Sequence, residues 1–337
     1  MLTAILHRYP LEQIKQTNAA IDYLVAKSKA DVFTFKSFDR ASKWRKFFKS
    51  LVWIFYAPML VLGRGYDVIY CDDSYPFYGI LVKFVCPRSK VILRLGDLHL
   101  MYYTSGLVYK FLHFFELIGW NCADRIICIS QPMADYVYSE LKNFRWGIAQ
   151  ESDDPIVDVV LDPVDPKDFP INGVKSHGTV MFHGVLTKNK NVDILLAAAE
   201  RLPQVNFVVI GDGPDRSRLE HIAPNNVFFK GRVPFKSMCH HIETCAVGVA
   251  LRSNNPGNEY VVTSPFIQYG IMGKPCLVTK RKVFGDYHWQ FSNVDELVTG
   301  IKLLLDKPEE GEKLRKYILE NHDAQKIAGD IWSLLAS

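Results

Sequence analysis

The chain has 337 residues, 48% hydrophobic and 23% charged, an ordinary globular make-up with room for two domains of roughly 150 residues. Forty basic residues against 36 acidic ones leave a net charge of +4, too small by itself to point to nucleic acid. Met1–Tyr9 lacks a signal-peptide pattern and no uncharged run reaches the roughly 20 residues a bilayer span needs; seven cysteines without a C-x-x-C pair argue for buried reduced thiols in a cytoplasmic protein and against zinc.

Leu2–Leu6 reads as a first strand, followed by His7-Arg8-Tyr9-Pro10 and a helix over about 11–26. His7, at the strand end, is either a catalytic candidate or part of a polar rim. Residues 36–49 carry six cations (Lys36, Arg40, Lys43, Arg45, Lys46, Lys49) against one acid, Asp39, with Phe38, Trp44, Phe47 and Phe48 interleaved. That mixture suits an anionic membrane surface, where rings sit at headgroup level and lysines stay hydrated; a core helix with a basic solvent face is the plainer alternative. Tyr66–Cys71 and Lys90–Leu95 are strands leading into Asp72-Asp73 and Gly96-Asp97. Asp97 can orient or deprotonate a hydroxyl at a strand's carboxyl end, or cap the next helix; Asp72 or Asp73 is a weaker candidate for the same work. The segment 169–178 is polar with Pro and Gly, which places a domain boundary there.

From Val180 the pattern alternates strand and helix. Val180–His183 ends in Gly184; Val192, Leu195, Leu196, Ala199 and Leu202 share a helical face; Val205–Ile210 runs into Gly211-Asp-Gly-Pro214; residues 226–230 and 246–250 are extended. This alternation calls for a parallel sheet with right-handed crossovers, whose ligands sit beyond the strands' carboxyl ends. Ser264-Pro265 is a helix-start signal, a hydroxyl able to cap and then a residue with no N–H, and the helix should stop at Gly273 before Pro275. A helix start leaves N–H groups unpaired and suits a diphosphate, with Gln268 one turn inside to meet hydroxyls of a bound nucleotide. The bland reading makes Ser264 only a cap and Gln268 a surface amide.

Gly184 with Lys190 and Val192-Asp193, then Gly211-Asp-Gly-Pro214, Asn226-Val-Phe-Phe-Lys-Gly231 and Gly273-Lys-Pro275, in that order, resemble the donor domain of GT-B glycosyltransferases of the family-4-like group (glycosyl transferases group 1). Cys122-Ala-Asp-Arg-Ile-Ile-Cys-Ile-Ser130 and Asp162-Pro-Val-Asp165 resemble the same family in the other half. The resemblance implies an α/β protein of two Rossmann-like domains facing each other across a cleft: 1–170 on the acceptor side, 171–320 binding the donor, and a helix in 321–337 crossing back.

The resemblance also implies roles. Gly184, Gly211 and Gly213 line the donor loops, Lys190 and the helix start at Ser264-Pro265 hold the diphosphate, Gly231, Arg232 and Val233 cradle the base, and Gln268 meets the ribose. Glu259 contacts the sugar and Asp97 positions the acceptor, a glycan or lipid-linked hydroxyl. With a lysine and helix amides facing the diphosphate, no metal or other cofactor is expected. The departures are Val185 where the family has an arginine, Gly96 where it has a histidine, and Tyr260 and Gln268 where it has two glutamates. They leave a degenerate scaffold, or a nucleotide-sugar epimerase or hydrolase, as alternatives. Gly211-Asp-Gly213 alone does not make a dehydrogenase fingerprint, because the third glycine is missing.

Overall fold

The computed structural model describes residues 1–7, 15–28, 30–34, 56–72, 78–98, 100–103, 106–144, 156–174 and 178–337. The basic segment 36–49, Asp73 and Tyr9 lie outside the described residues, and of His7 only its backbone place at the end of the first strand is described.

The chain divides into two compact units, 1–164 with 324–337, and 165–323. Residues 165–170 therefore go with the second unit rather than the first. Phe169 is the reason: it is buried, with its ring 5.2 Å from that of Phe235.

The first unit holds a parallel sheet of β1 (Thr3–His7), β2 (Asp31–Thr34), β3 (Val68–Asp72), β4 (Lys90–Leu95), β5 (Arg125–Cys128) and β6 (Ile156–Val159), in the order β2-β1-β3-β4-β5-β6. Its helices are α1 (Lys15–Ser28), α2 (Tyr78–Val85), α3 (Leu100–Tyr103), α4 (Gly106–Asn121) and α5 (Gln131–Asn143). β3 and β5 are buried along their whole length, as expected of parallel strands covered on both faces, which is why they read as continuous apolar runs. At the carboxyl ends of β3 and β4 lies a buried polar group. Arg94 donates to Asp72 at 3.1 Å and to Asp162 at 2.6 Å, and the Tyr70 hydroxyl donates to Asp72 at 3.1 Å.

The second unit repeats the plan with β7 (Val180–His183), β8 (Phe207–Ile210), β9 (Val227–Gly231), β10 (Val247–Ala250), β11 (Cys276–Thr279) and β12 (Gln290–Phe291), in the order β12-β11-β10-β7-β8-β9 and all parallel. Between them run α6 (Asp193–Arg201), α7 (Arg216–Ile222), α8 (Phe235–Thr244), α9 (Ser264–Ile271), α10 (Val294–Leu305) and α11 (Glu309–Asn321). Leu195, Leu196, Ala198 and Ala199 bury one face of α6 against the sheet core that includes Phe182, Phe207 and Phe291. Asn226 is a structural residue here. It is buried, and its amide donates to the carbonyls of Ala199, Leu202 and Val205 at 2.8–3.0 Å, which ties the end of α6 to β9.

After α11 the chain returns to the first unit as α12 (Ala324–Ala336), where Ile327, Ala328, Ile331 and Leu335 pack with Ile5, Ile21 and Leu24. Burying each large aliphatic side chain of α12 is worth about 2 kcal/mol. Five of the seven cysteines are buried, and Cys86 and Cys122 are half-buried.

Candidate functional site

The strand order of the second unit reverses at β7, with β8 and β9 to one side and β10, β11 and β12 to the other. Such a reversal opens a crevice beyond the carboxyl ends of the strands. A pocket of about 800 Å³ lies there, lined by His183, Gly184, Val185, Ile210, Gly211, Asp212, Gly213, Arg232, Val233 and Met238. The structure thus brings together Gly184, Gly211, Gly213, Arg232 and Val233 of the residues expected from sequence. Gly211 has to be glycine. Its φ is +137°, and a Cβ would fall 1.8 Å from the carbonyl oxygen of Gly184, so the ends of β7 and β8 touch through bare backbone. Gly231 is the last residue of β9, one place before the pocket-lining Arg232.

Lys190 lies at the end of a 3₁₀ turn, Lys188–Lys190, and is half-buried. Asn189 of that turn is bound to the loop after β10. Its carbonyl accepts from Ser253 N at 2.9 Å, and its side-chain oxygen accepts from the Ser253 hydroxyl at 2.5 Å and from Asn258 at 3.2 Å. His183, missed from sequence, ends β7 with 6% exposure. Among the described residues its buried Nε2 has no hydrogen-bond partner, and its ring meets that of Tyr269 at 5.0 Å. Burial, and then the charge of Lys190, push its pKa down to about 3, so the imidazole stays neutral. The only sequence sign is a histidine ending an apolar strand just before a glycine.

α9 crosses from β10 to β11, parallel neighbours, so its amino end lies at the carboxyl end of the sheet. Its packing is tight. Tyr269 is fully buried, its hydroxyl donates to Met181 O at 2.8 Å, and its ring lies where a Cβ on Gly248 would be, 2.4 Å away. The helix begins one residue earlier than its sequence suggests. Thr263 is the N-cap, and Ser264 and Pro265 are the first two helical residues, so Ser264 does not cap and is exposed. The physical reason is that extended backbone, which a cap needs, falls at Thr263 (φ −83°, ψ 136°). Gln268 is half-buried one turn into the helix.

Glu259 ends a 3₁₀ turn, Pro256–Glu259. It accepts from Lys282 N at 3.0 Å and pairs with Arg281 Nε at 3.6 Å, so it braces the loop after β11. Arg281 in turn donates to Arg252 O, Ser253 O and Asn254 Oδ1 at 3.1, 2.6 and 2.9 Å. Burial, partly offset by Glu259, lowers the Arg281 pKa. Nothing in the sequence marks Arg281, which acts through loops that carry no periodicity.

In the first unit, Asp97 follows β4 and is half-buried, with Oδ1 accepting from Leu98 N at 2.9 Å. Asp72 is 2% exposed and engaged by Arg94 and Tyr70. Among the described residues there is no cluster of three or more His, Cys, Asp or Glu arranged to hold a metal, and no helix long and apolar enough to cross a membrane.

Residues 177–336 match the family model described as "Glycosyl transferases group 1". No curated protein matches the chain at a significant level. Among solved structures, the sucrose-phosphate synthase of Thermosynechococcus elongatus superposes with a TM-score of 0.73 at 14% identity, over 99% of this chain and 98% of that one. Anabaena HepE, solved with UDP and glucose, gives 0.68 at 14% identity over 100% of both chains. The lipopolysaccharide outer core galactosyltransferase WaaB, in its apo form, gives 0.65 at 13% identity over 99% and 100%. The chain has the GT-B fold, and its residues 177–336 are similar to the group 1 glycosyltransferases.

Proposed function

We propose that this glycosyltransferase moves a sugar from a nucleotide-sugar to a hydroxyl of a glycolipid or polysaccharide, without a metal. The observation that carries the reading is the crevice at the β7 switch point, where backbone-to-backbone glycine contact leaves a pocket of about 800 Å³ lined by His183, an imidazole that feels the charge of Lys190. HepE with UDP and glucose, TarM of S. aureus with UDP and α-GlcNAc-glycerol, and the galactosyltransferase WaaB support a UDP-sugar donor and a glycan acceptor.

In this reading Arg232 and Val233 flank the base, and Lys190 with the amides opening α9 takes the charge of the departing diphosphate, the work a metal does elsewhere. Gln268 holds the ribose. Glu259 has a smaller part than its position suggests, since its carboxylate is already committed to Arg281 and Lys282 N and reaches the sugar through the loop it braces. Asp97 holds the acceptor hydroxyl. Peripheral contact with an anionic membrane through residues 36–49 belongs to the same proposal. An exposed apolar stripe on α4 supports it, with Leu107 and Phe111 among its residues.

Binding of UDP, GDP and ADP, and release of the diphosphate on turnover, test the reading on Lys190→Ala. We expect both affinity and turnover to drop at least about tenfold, the worth of one charge-assisted bond. Unchanged affinity in the variant, or no nucleotide bound by the parent, overturns it.

A further inference from the structure

β10 lies beside β7 in parallel register, so the loop that follows β10 passes over the carboxyl end of the switch strand. Arg252 is the second residue of that loop. Its backbone is fixed from three sides: its N–H donates to Thr279 Oγ1 at 3.1 Å, its carbonyl accepts from Arg281, and the next residue is stitched to Asn189. Its side chain is another matter. Among the described residues the half-buried guanidinium makes no hydrogen bond or ion pair, and its Nε is buried without a partner. Other arginines of this unit have carboxylates: Arg201 has Asp295, Arg216 has Glu220, Arg218 has Asp193 and Asp215, and Arg281 has Glu259. A guanidinium on a fixed backbone, partly withdrawn from water, carries an uncompensated desolvation cost, which an anion would remove.

A second unsatisfied group lies at the same end of the sheet. Thr263, the N-cap of α9, is 2% exposed, yet among the described residues its Oγ1 makes neither the capping bond nor any other. A buried hydroxyl without a partner costs free energy unless a ligand supplies the acceptor. The crossover from β10 through α9 to β11 brings Arg252, Thr263 and the first amides of α9 to one end of the sheet, the end that carries Lys190 and Gly184. A group with several anionic oxygens satisfies all of these donors together, whereas a single carboxylate or a neutral sugar does not.

We propose that Arg252, assisted by the Thr263 hydroxyl, binds the diphosphate of the donor and supplies the second cation that the chain lacks at Val185. The proposal rests on the nucleotide-sugar reading above. Arg232 is the contrast: it is exposed and lines the pocket on the β9 side, two strands from β7, so it faces the base rather than the diphosphate.

Isothermal titration of the full chain with UDP, GDP, ADP and the matching free nucleosides tests this. Arg252→Gln should weaken the diphosphate that the parent binds by about ten- to hundredfold and leave its nucleoside unchanged. Arg252→Lys should recover part of the loss and Thr263→Val should show a smaller one. The melting temperature of Arg252→Gln should stay at the parent value, since the side chain gives up no internal bond. Parent-like diphosphate affinity in Arg252→Gln overturns the role of Arg252 and leaves the site standing. Equal losses for diphosphate and nucleoside overturn it too, because they would mark a distorted pocket, as would a loss of folding reproduced in Arg252→Lys. A parent chain that binds no nucleoside diphosphate overturns the site and this inference together.

Discussion

Replacing Gly248 with alanine isolates what holds the start of α9 in place. The added Cβ would lie 2.4 Å from the Tyr269 ring, where ordinary carbon contacts are about 3.5–4.0 Å, so the ring has to retreat by about 1 Å. It has nowhere to go: Tyr269 is fully buried, and its hydroxyl is bound to Met181 O at 2.8 Å. Overpacking of this kind costs about 1–3 kcal/mol, and loss of the buried bond adds about 1 kcal/mol, for a total of about 2–4 kcal/mol. Urea denaturation followed by circular dichroism should show that loss in the transition of the second unit. Tyr269→Phe, which deletes the bond and keeps the packing, should lose only about 1 kcal/mol. Because the ring moves with its helix, Gly248→Ala should also weaken nucleotide binding, although neither residue lines the pocket. A Gly248→Ala protein within about 0.5 kcal/mol of the parent would refute this reasoning, since it would mean that α9 rides loosely on the sheet.

His113 bridges α4 and α5, with Nδ1 2.9 Å from Glu116 and Nε2 2.9 Å from Glu140. Burial alone would lower its pKa, but hydrogen bonds to the two carboxylates outweigh it and the pKa is raised. A raised histidine contributes stability in full below its unfolded value of about 6.5 and loses it as pH climbs through the folded value. The stability gap between the parent and His113→Gln should therefore be wide near about pH 6 and shrink by about pH 8.5; a gap independent of pH contradicts the clamp. For the membrane, the chain should sediment with vesicles containing phosphatidylserine and not with neutral ones, and neutralising the six cations of residues 36–49 should abolish this. Equal sedimentation by that variant would remove the segment as the cause. Loss through Leu107→Ser with Phe111→Ser alone would shift the contact to α4.

The parallel sheets are legible in the sequence because strands covered on both faces must be apolar, as in Val180–Phe182, Phe207–Ile210 and Val247–Ala250. The glycines closing β7 and β8 are legible too, since few other residues let two backbones touch. What escapes is set by side chains far apart in sequence. The bond between Glu259 and Arg281 spans loops with no period to read, and the fit of Gly248 to Tyr269 depends on how α9 lies across β10. Ser264-Pro265 matches a cap in composition, whereas the backbone puts the cap of α9 one residue earlier, at Thr263. Arg252 does not stand out in the sequence until Arg201, Arg216, Arg218 and Arg281 have been matched to their carboxylates.

The return of α12 to the first unit shapes how the chain reaches its folded state. Residues 165–323 form an uninterrupted stretch, and every strand of their sheet is local to it. The first unit is split, and Ile5, Ile21 and Leu24 acquire Ile327, Ile331 and Leu335 as neighbours only across the whole of the inserted stretch. Closing so long a loop is entropically slow, and far easier once the intervening residues have already collapsed. During synthesis the second unit can mature on its own, whereas the first waits with an apolar groove uncovered until α12 arrives.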